Sequence, residues 1–365
     1  MKTEYTISQI AEKLHITTNK IRFYEKKGLL TPMRESQNRY RKFDEEDILC
    51  LETILLYRSL GLSIEAIQNI LQCNKKENYL IHMQNQWMAV NTEIHRLNEI
   101  RKSLEMVLDK VYEESEEQDL EKDFLKIIEQ SNLLFQVKNE WKDQWNFDGW
   151  ARSYDEDVKR DTGALKIYEN YETVLQMVFE EVENFHRKDG DILEIGVGTG
   201  NLAGKFLQNK YQIIGIDQSR QMLAVAKEKY PKLRVRLGEF LKIPYENQMF
   251  DAIVSTYAFH HLNEEEKRVG IAEMMRVLKK DGKIVLGDLM FQNKDEEQKI
   301  RSTLSSEQTR ELDGEYYSYL NLLVKEVEQY EKRVLYKRID RFNYVVVIQF
   351  ISEVSYFEQT KRAVL

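Results

Sequence analysis

Two cysteines and three prolines in 365 residues exclude several classes of protein at the outset. Cys50 and Cys73 cannot supply a disulfide framework, and no CxxC pair is present to hold zinc, so no metal site is expected. No uninterrupted apolar run is long enough to cross a bilayer, which argues against membrane insertion. The opening residues, MKTEYTISQI, are polar where a secretion signal needs an apolar stretch, so a cytoplasmic location is expected. Glycine is missing from one long region: none of the fifteen lies between Gly61 and Gly149, whereas ten fall between Gly190 and Gly287. Prolines occur only at Pro32, Pro231 and Pro244, so the glycine-free middle reads as continuous helix between a turn-containing head and a loop-rich α/β body.

What is present divides along the same lines. The chain is acidic overall, with a net charge of -8, yet ten bases outnumber four acids between Met1 and Phe43. A basic face on an acidic protein points to a phosphate-bearing partner, the bland alternative being a solvated face on a small helical domain. Ile7, Ile10, Ala11 and Leu14 mark a short amphipathic helix with Ser8 near its start. Thr17 and Thr18 then cap a second helix through Ile21, Phe23 and Tyr24. Two short helices at this spacing predict a helix-turn-helix, and LLTPMRESQNRYRKF, with its proline and polar turn, predicts a β-wing after Gly28.

Residues YTISQIAEKLHITTNKIRFYEKKGLLTPMRESQNRYRKF and LYRSLGLSIEAIQNIL resemble the winged-helix domain of the MerR family of transcription regulators. The resemblance implies a DNA-binding domain over residues 1–72. It places Thr17, Thr18, Lys20, Arg22 and Tyr24 on the recognition helix, and Arg39, Tyr40 and Arg41 on the wing, against double-stranded promoter DNA. Leu80, Met83, Trp87, Val90, Ile94, Leu97, Leu104, Leu108 and Val111 follow alternating steps of three and four, broken at Arg101, so residues 73–118 are expected to form a coiled-coil dimerisation helix. The alternative is a long helix packed on its own chain. Metal- and redox-sensing relatives carry cysteines around that helix. Here only Cys73 stands near its start, so the signal must come from elsewhere. Residues 119–146 read as a helical connector. Trp141, Trp145, Phe147 and Trp150 continue it as an aromatic cluster more suited to interdomain core than to a pocket.

From Asp191 the pattern changes to apolar strands separated by glycine turns. DILEIGVGTGNL sets Ile192, Leu193 and Ile195 before Gly196, Gly198 and Gly200, and YQIIGID ends the next strand in Asp217, an acid that can accept both hydroxyls of a ribose. Such turns also bind dinucleotides. EIGVGTG, however, resembles the first motif of the class I S-adenosylmethionine-dependent methyltransferases, and GIDQSRQML, RLGEFLKIP, FDAIVSTYAFHHL and RVLKKDGKIVLGD resemble the later ones. A Rossmann-like, seven-stranded α/β domain over residues 147–365 follows, ending in an antiparallel hairpin from LYKRID and NYVVVIQF. In it Glu194, Gly196, Gly198, Gly200, Asp217, Gln218, Met222, Glu239 and Phe240 would bind the methyl donor. Glu239 stands where many relatives have Asp. The donor has no pyrophosphate, which suits a turn without a basic group, and Glu194 can meet its ammonium.

Tyr154, His260 and His261 are the candidate positioners or bases, although one of two adjacent histidines usually packs inward. No NPPY-type or Pro-Cys motif signals DNA base methylation, so the acceptor is expected to be a small molecule. The sequence therefore reads as a multidomain, homodimeric regulator that acts on RNA polymerase indirectly and methylates a small molecule. The alternatives are a domain that kept the donor pocket as a non-catalytic sensor, and an enzyme whose winged helix serves only to dimerise.

Overall fold

The computed structural model describes residues 4–34, 40–59, 64–71, 78–113, 125, 129, 137–138, 143–184 and 190–350. Arg39, Cys73 and Trp141 lie outside the described residues. The chain divides into two compact units, Met1–Asn98 and Glu99–Leu365.

In the first unit, α1 (Ile7–Lys13) has Ser8 in its first turn, as the sequence reading expects, and is capped by Thr6. The Thr6 hydroxyl accepts the Gln9 N–H while the Gln9 side chain accepts the Thr6 N–H, a reciprocal capping box. The second helix, α2 (Thr18–Lys26), is capped by Thr17, whose hydroxyl accepts the Lys20 N–H at 3.2 Å. Two short strands follow, β1 (Met33–Arg34) and β2 (Arg41–Lys42), paired antiparallel as the wing. Helices α3 (Glu45–Ser59) and α4 (Ile64–Leu71) close a core of Ile10, Ile21, Leu51, Ile54, Tyr57 and Ile67. The long helix α5 (Asn78–Glu113) runs 36 residues.

The second unit is built on a sheet in the order β5-β4-β3-β6-β7-β10-β9. The strands are β3 (Ile192–Ile195), β4 (Ile213–Asp217), β5 (Arg234–Leu237), β6 (Phe250–Thr256), β7 (Leu278–Phe291), β9 (Lys332–Arg338) and β10 (Asn343–Phe350). The first five are parallel, and β10 inserts antiparallel between β7 and β9, so the terminal hairpin read from the sequence is present. A two-residue strand, β8 (Ser318–Tyr319), adds to β7 and makes the sheet eight-stranded. Strand side chains alternate between faces. Ile192, Val254, Val285 and Val345 pack with Val174 and Val178 of helix Tyr171–Glu183; Leu193, Ile253, Leu286 and Val346 pack with Met274 of helix Glu264–Val277 on the other face. Burial on both faces is why these strands read as near-continuous apolar runs.

Lys138 is buried and bridges Glu99 of α5 to Glu273 of helix Glu264–Val277, at 3.2 Å from each. Glu273 also accepts the Ile243 N–H and pairs with Arg276, so neither buried charge lacks a counter-ion. No helix among the described residues is long and apolar enough to cross a membrane.

Candidate active site

The carboxyl end of β3 runs into Gly196, Gly198 and Gly200, whose φ angles of 71°, 51° and 84° lie in the left-handed region that disfavours a side chain. A Cβ on Gly196 would meet the Ala258 Cβ at 2.4 Å, whereas one on Gly198 would meet nothing within 4 Å. Gly198 therefore holds space open. Asp217, at the end of β4, accepts the Gly198 N–H at 2.9 Å and the Ser219 N–H at 2.8 Å, tying the second motif to the glycine turn. Ser219 caps helix Arg220–Lys229 and donates to Asp148 at 2.6 Å, which draws the Asn146–Trp150 segment over this end of the sheet.

These elements line a cavity that is partly open to solvent. Glu194, Gly196, Gly198, Asp217, Gln218, Met222, Glu239 and Phe240 all line it, as the sequence anticipates for the donor. Gly200 does not line it. It occupies the cap of helix Asn201–Gln208, close to Tyr230 and Ala226, where its φ makes the turn possible.

The electrostatics are one-sided. Glu194 is 1% exposed and its Oε2 has no partner, and the buried Gln218 Oε1 has none either. Burial and the neighbouring Asp217 hold the Glu194 carboxyl well above its ordinary range. Burial pushes Asp217 up to about 6 against its backbone hydrogen bonds, and Glu239 is raised mainly by burial. Among the described residues no lysine or arginine lines the cavity. An orphaned buried carboxylate oxygen on Glu194 and an orphaned amide oxygen on Gln218, beside an open glycine cradle, fit S-adenosylmethionine, whose ammonium and hydroxyls would satisfy them.

The three candidate catalytic residues separate. Tyr154 lines the cavity and shares a hydrogen bond with Tyr171. Burial and nearby tyrosines raise it well above the phenol range, so its hydroxyl is neutral. His261 also lines the cavity, with Nδ1 at 3.2 Å from Glu315 Oε2. His260 turns inward. At 1% exposed it does not reach the cavity, and its Nδ1 sits 2.5 Å from Asp288, whose charge raises the imidazole despite burial. Its expected place in the chemistry is corrected to that of a buried ion pair. The aromatic connector is corrected as well: the Trp145 ring centre lies 4.3 Å from that of His261 and Phe147 lines the cavity, so these two cover the site instead of forming interdomain core. Tyr171, Tyr257, Glu315 and Asp288 are further site residues that the sequence reading does not single out.

In the head, Thr17, Lys20, Arg22 and Tyr40 are exposed, and Thr18 is half-buried. Arg41 donates to Glu25 at 2.6 Å and Arg34 does so at 2.8 Å, which fastens the wing to α2. Tyr24 is 2% exposed and belongs to the core, so it is corrected from a DNA contact to a packing residue. It lies three residues after buried Ile21, on the inward face of α2.

A family model described as a MerR HTH family regulatory protein matches residues 5–73, and one described as a methyltransferase domain matches residues 192–282. The chain is 39% identical over 180 residues to an uncharacterized methyltransferase of Alkaliphilus oremlandii, covering 48% of this chain and 82% of that relative. It is 36% identical over 206 residues to another from Oceanobacillus iheyensis, covering 55% and 93%. A solved magnesium protoporphyrin IX methyltransferase from Synechocystis aligns with 56% of this chain and 97% of its own, at 14% identity and a TM-score of 0.44. Strand order, glycine turn and relatives agree, and the chain belongs to the S-adenosylmethionine-dependent methyltransferases, with a MerR-type helix-turn-helix at its head.

Proposed function

We propose that this protein is a cytoplasmic, homodimeric transcription regulator whose body methylates a small molecule and whose head binds promoter DNA, acting on RNA polymerase through the DNA. The observation that carries the small-molecule reading is the cavity itself: a pocket with three acids in its lining, and His261 and three tyrosines on the part of its wall not assigned to the donor. When bound, the donor supplies an electrophilic methyl group on a sulfonium. Glu194 would hold its ammonium, Asp217 and Gln218 its ribose, and Met222, Glu239 and Phe240 its adenine. Positioning then supplies much of the rate, because displacement at a methyl group depends on alignment. Tyr154 orients through its hydroxyl, and Trp145 and Phe147 keep water from the reacting end.

The dimer reading rests on α5. Ile94, Leu97, Leu104 and Leu108 lie on one stripe at steps of three and four and are 48–56% exposed, a seam that a second copy would bury. Two heads related by a two-fold axis would meet a pseudo-palindromic operator, and cavity occupancy that favours one dimer shape would change how the DNA is twisted.

Calorimetric titration with the donor, followed by transfer of a labelled methyl group into a metabolite extract, tests the body. Donor binding with no labelled product would favour the sensor reading, and absence of binding at millimolar donor would defeat both. A footprint on the DNA upstream of the protein's own gene, with and without donor, tests the head.

A further inference from the structure

Glu315 stands apart from every sequence motif, yet its carboxylate lies against both histidines, 3.2 Å from His261 Nδ1 and 3.8 Å from His260 Nε2. We propose that Glu315 and His261 form a proton-accepting pair for an uncharged, ring-bearing hydroxyl compound of the phenol type, and that a second cavity beyond Glu315 receives the proton. This rests on the methyltransferase reading above and names the acceptor class for that site.

The geometry sets the tautomer. An ionised carboxylate can only accept, so His261 Nδ1 carries the hydrogen and Nε2 keeps its lone pair. Nε2 has no hydrogen-bond partner among the described residues, while the ring lines the donor cavity. A lone pair held this way is useful when the acceptor must lose a proton as it is methylated, which is the case for a hydroxyl. The acceptor oxygen forms the new O–CH3 bond as the donor's S–CH3 bond breaks, with that pair remaining on sulfur. The O–H proton passes to His261 Nε2 as the Nδ1 proton passes to Glu315. Glu315 also lines a second cavity, open to solvent, where the proton can leave without crossing the filled donor site.

The walls select the rest of the acceptor. Among the described residues no lysine or arginine lines the donor cavity, so a carboxylate or phosphate would find no counter-ion there. Phe147, Tyr154, Tyr171 and Tyr257 offer ring faces instead, and the buried Tyr257 hydroxyl has no partner and can donate to an uncharged oxygen.

Charges from each neighbouring element bear on the pair. Burial and the His260 charge depress His261 to about 4 against the opposing pull of Glu315 and Asp288, so its ring is neutral at physiological pH. Lys267, itself lowered by burial to about 8, opposes the His260 charge, and Tyr168 and Tyr317 feel both Glu315 and Asp288.

The test uses the full chain with labelled donor and a panel of matched neutral phenols, benzoates and benzylamines, with nitrogen NMR of the histidines assigned through His261→Asn. Expected are labelled phenols alone and a His261 spectrum with Nδ1 protonated and Nε2 bare. Glu315→Gln should lower the rate on the phenol about 10–100-fold and move the acid limb of its pH profile to lower pH, while Glu315→Ala should also lose the tautomer preference. Labelling confined to amines or carboxylates, an Nε2-protonated His261, or a Glu315→Gln profile matching the parent would overturn the pair. So would stoichiometric zinc binding that Glu315→Gln abolishes, because His260, His261 and Glu315 place their ligand atoms within 4.8 Å of one another. Failure of donor binding would instead remove the underlying reading, whatever the histidine spectrum shows.

Discussion

Glu194 and Asp217 place two carboxyl groups in one buried site, and burial together with the Asp217 charge keeps Glu194 protonated in the free protein. Asp217 is raised from 3.8 to about 6, so the folded state holds its proton more tightly than the unfolded chain does. The resulting stability is present below about pH 4 and is lost as pH rises toward 6, amounting to roughly 3 kcal/mol at full burial. Thermal unfolding of the free protein across that window should therefore show a loss that Asp217→Asn removes. Glu194→Gln mimics the protonated acid, so it should leave the melting temperature nearly unchanged while weakening donor affinity about 10–100-fold, as for one lost hydrogen bond to a charged group. Calorimetry in buffers of different ionisation enthalpy should also detect proton release on donor binding by the parent and little by the variant. Such residues were legible in the sequence because a strand, a turn and a helix fix them within a few positions. Asp288 and Glu315 were not, because they meet the histidines across 28 and 54 residues, a juxtaposition set by the sheet order and the segment after β7.

In the head, α1 and α2 were legible from apolar spacing and the wing from its proline and polar turn, whereas the helices after the wing were read from the family resemblance, and the error at Tyr24 lies where packing decides. Thr6 takes the first cap because Gln9 stands three residues on and completes the reciprocal pair. Tyr24 reads as polar and groove-facing by type, but its spacing from Ile21 turns it inward. Two substitutions on α2 should therefore part company. Arg22→Ala should keep the melting temperature and weaken operator binding, reducing the salt dependence by about one phosphate contact if the guanidinium meets the backbone. Tyr24→Ala should destabilise the first unit by about 3–5 kcal/mol through the cavity it leaves, seen in denaturant unfolding before any change in binding chemistry. The glycine turn offers a parallel contrast in the second unit. Gly196→Ala meets Ala258 and should damage the fold, whereas Gly198→Ala adds about 1–2 kcal/mol of backbone strain and a methyl group in open space. Loss of donor binding with the fold retained is the expected result for Gly198→Ala.

At the scale of the whole molecule, the acidic total conceals two opposite surfaces of recognition: a basic head suited to phosphates and an acid-lined cavity that offers them no counter-ion among the described residues. That separation follows from charge placement, because each partner is selected by its own unit. Among the described residues, the stripe on α5 is one apolar feature left exposed. An exposed seam of Ile94, Leu97, Leu104 and Leu108 would lower solubility unless another surface buried it, and its three-four spacing fits a helix of the same kind. Replacing Leu97 and Leu104 together with Glu should shift the protein from dimer to monomer in sedimentation at micromolar concentration. It should also weaken operator binding far more than a change at one half-site, because each monomer can then engage only half the operator. Donor affinity should stay at the parent value, since every residue lining the donor cavity belongs to Glu99–Leu365 and none is on the stripe. A double variant that remained dimeric would assign the seam to a partner within its own chain.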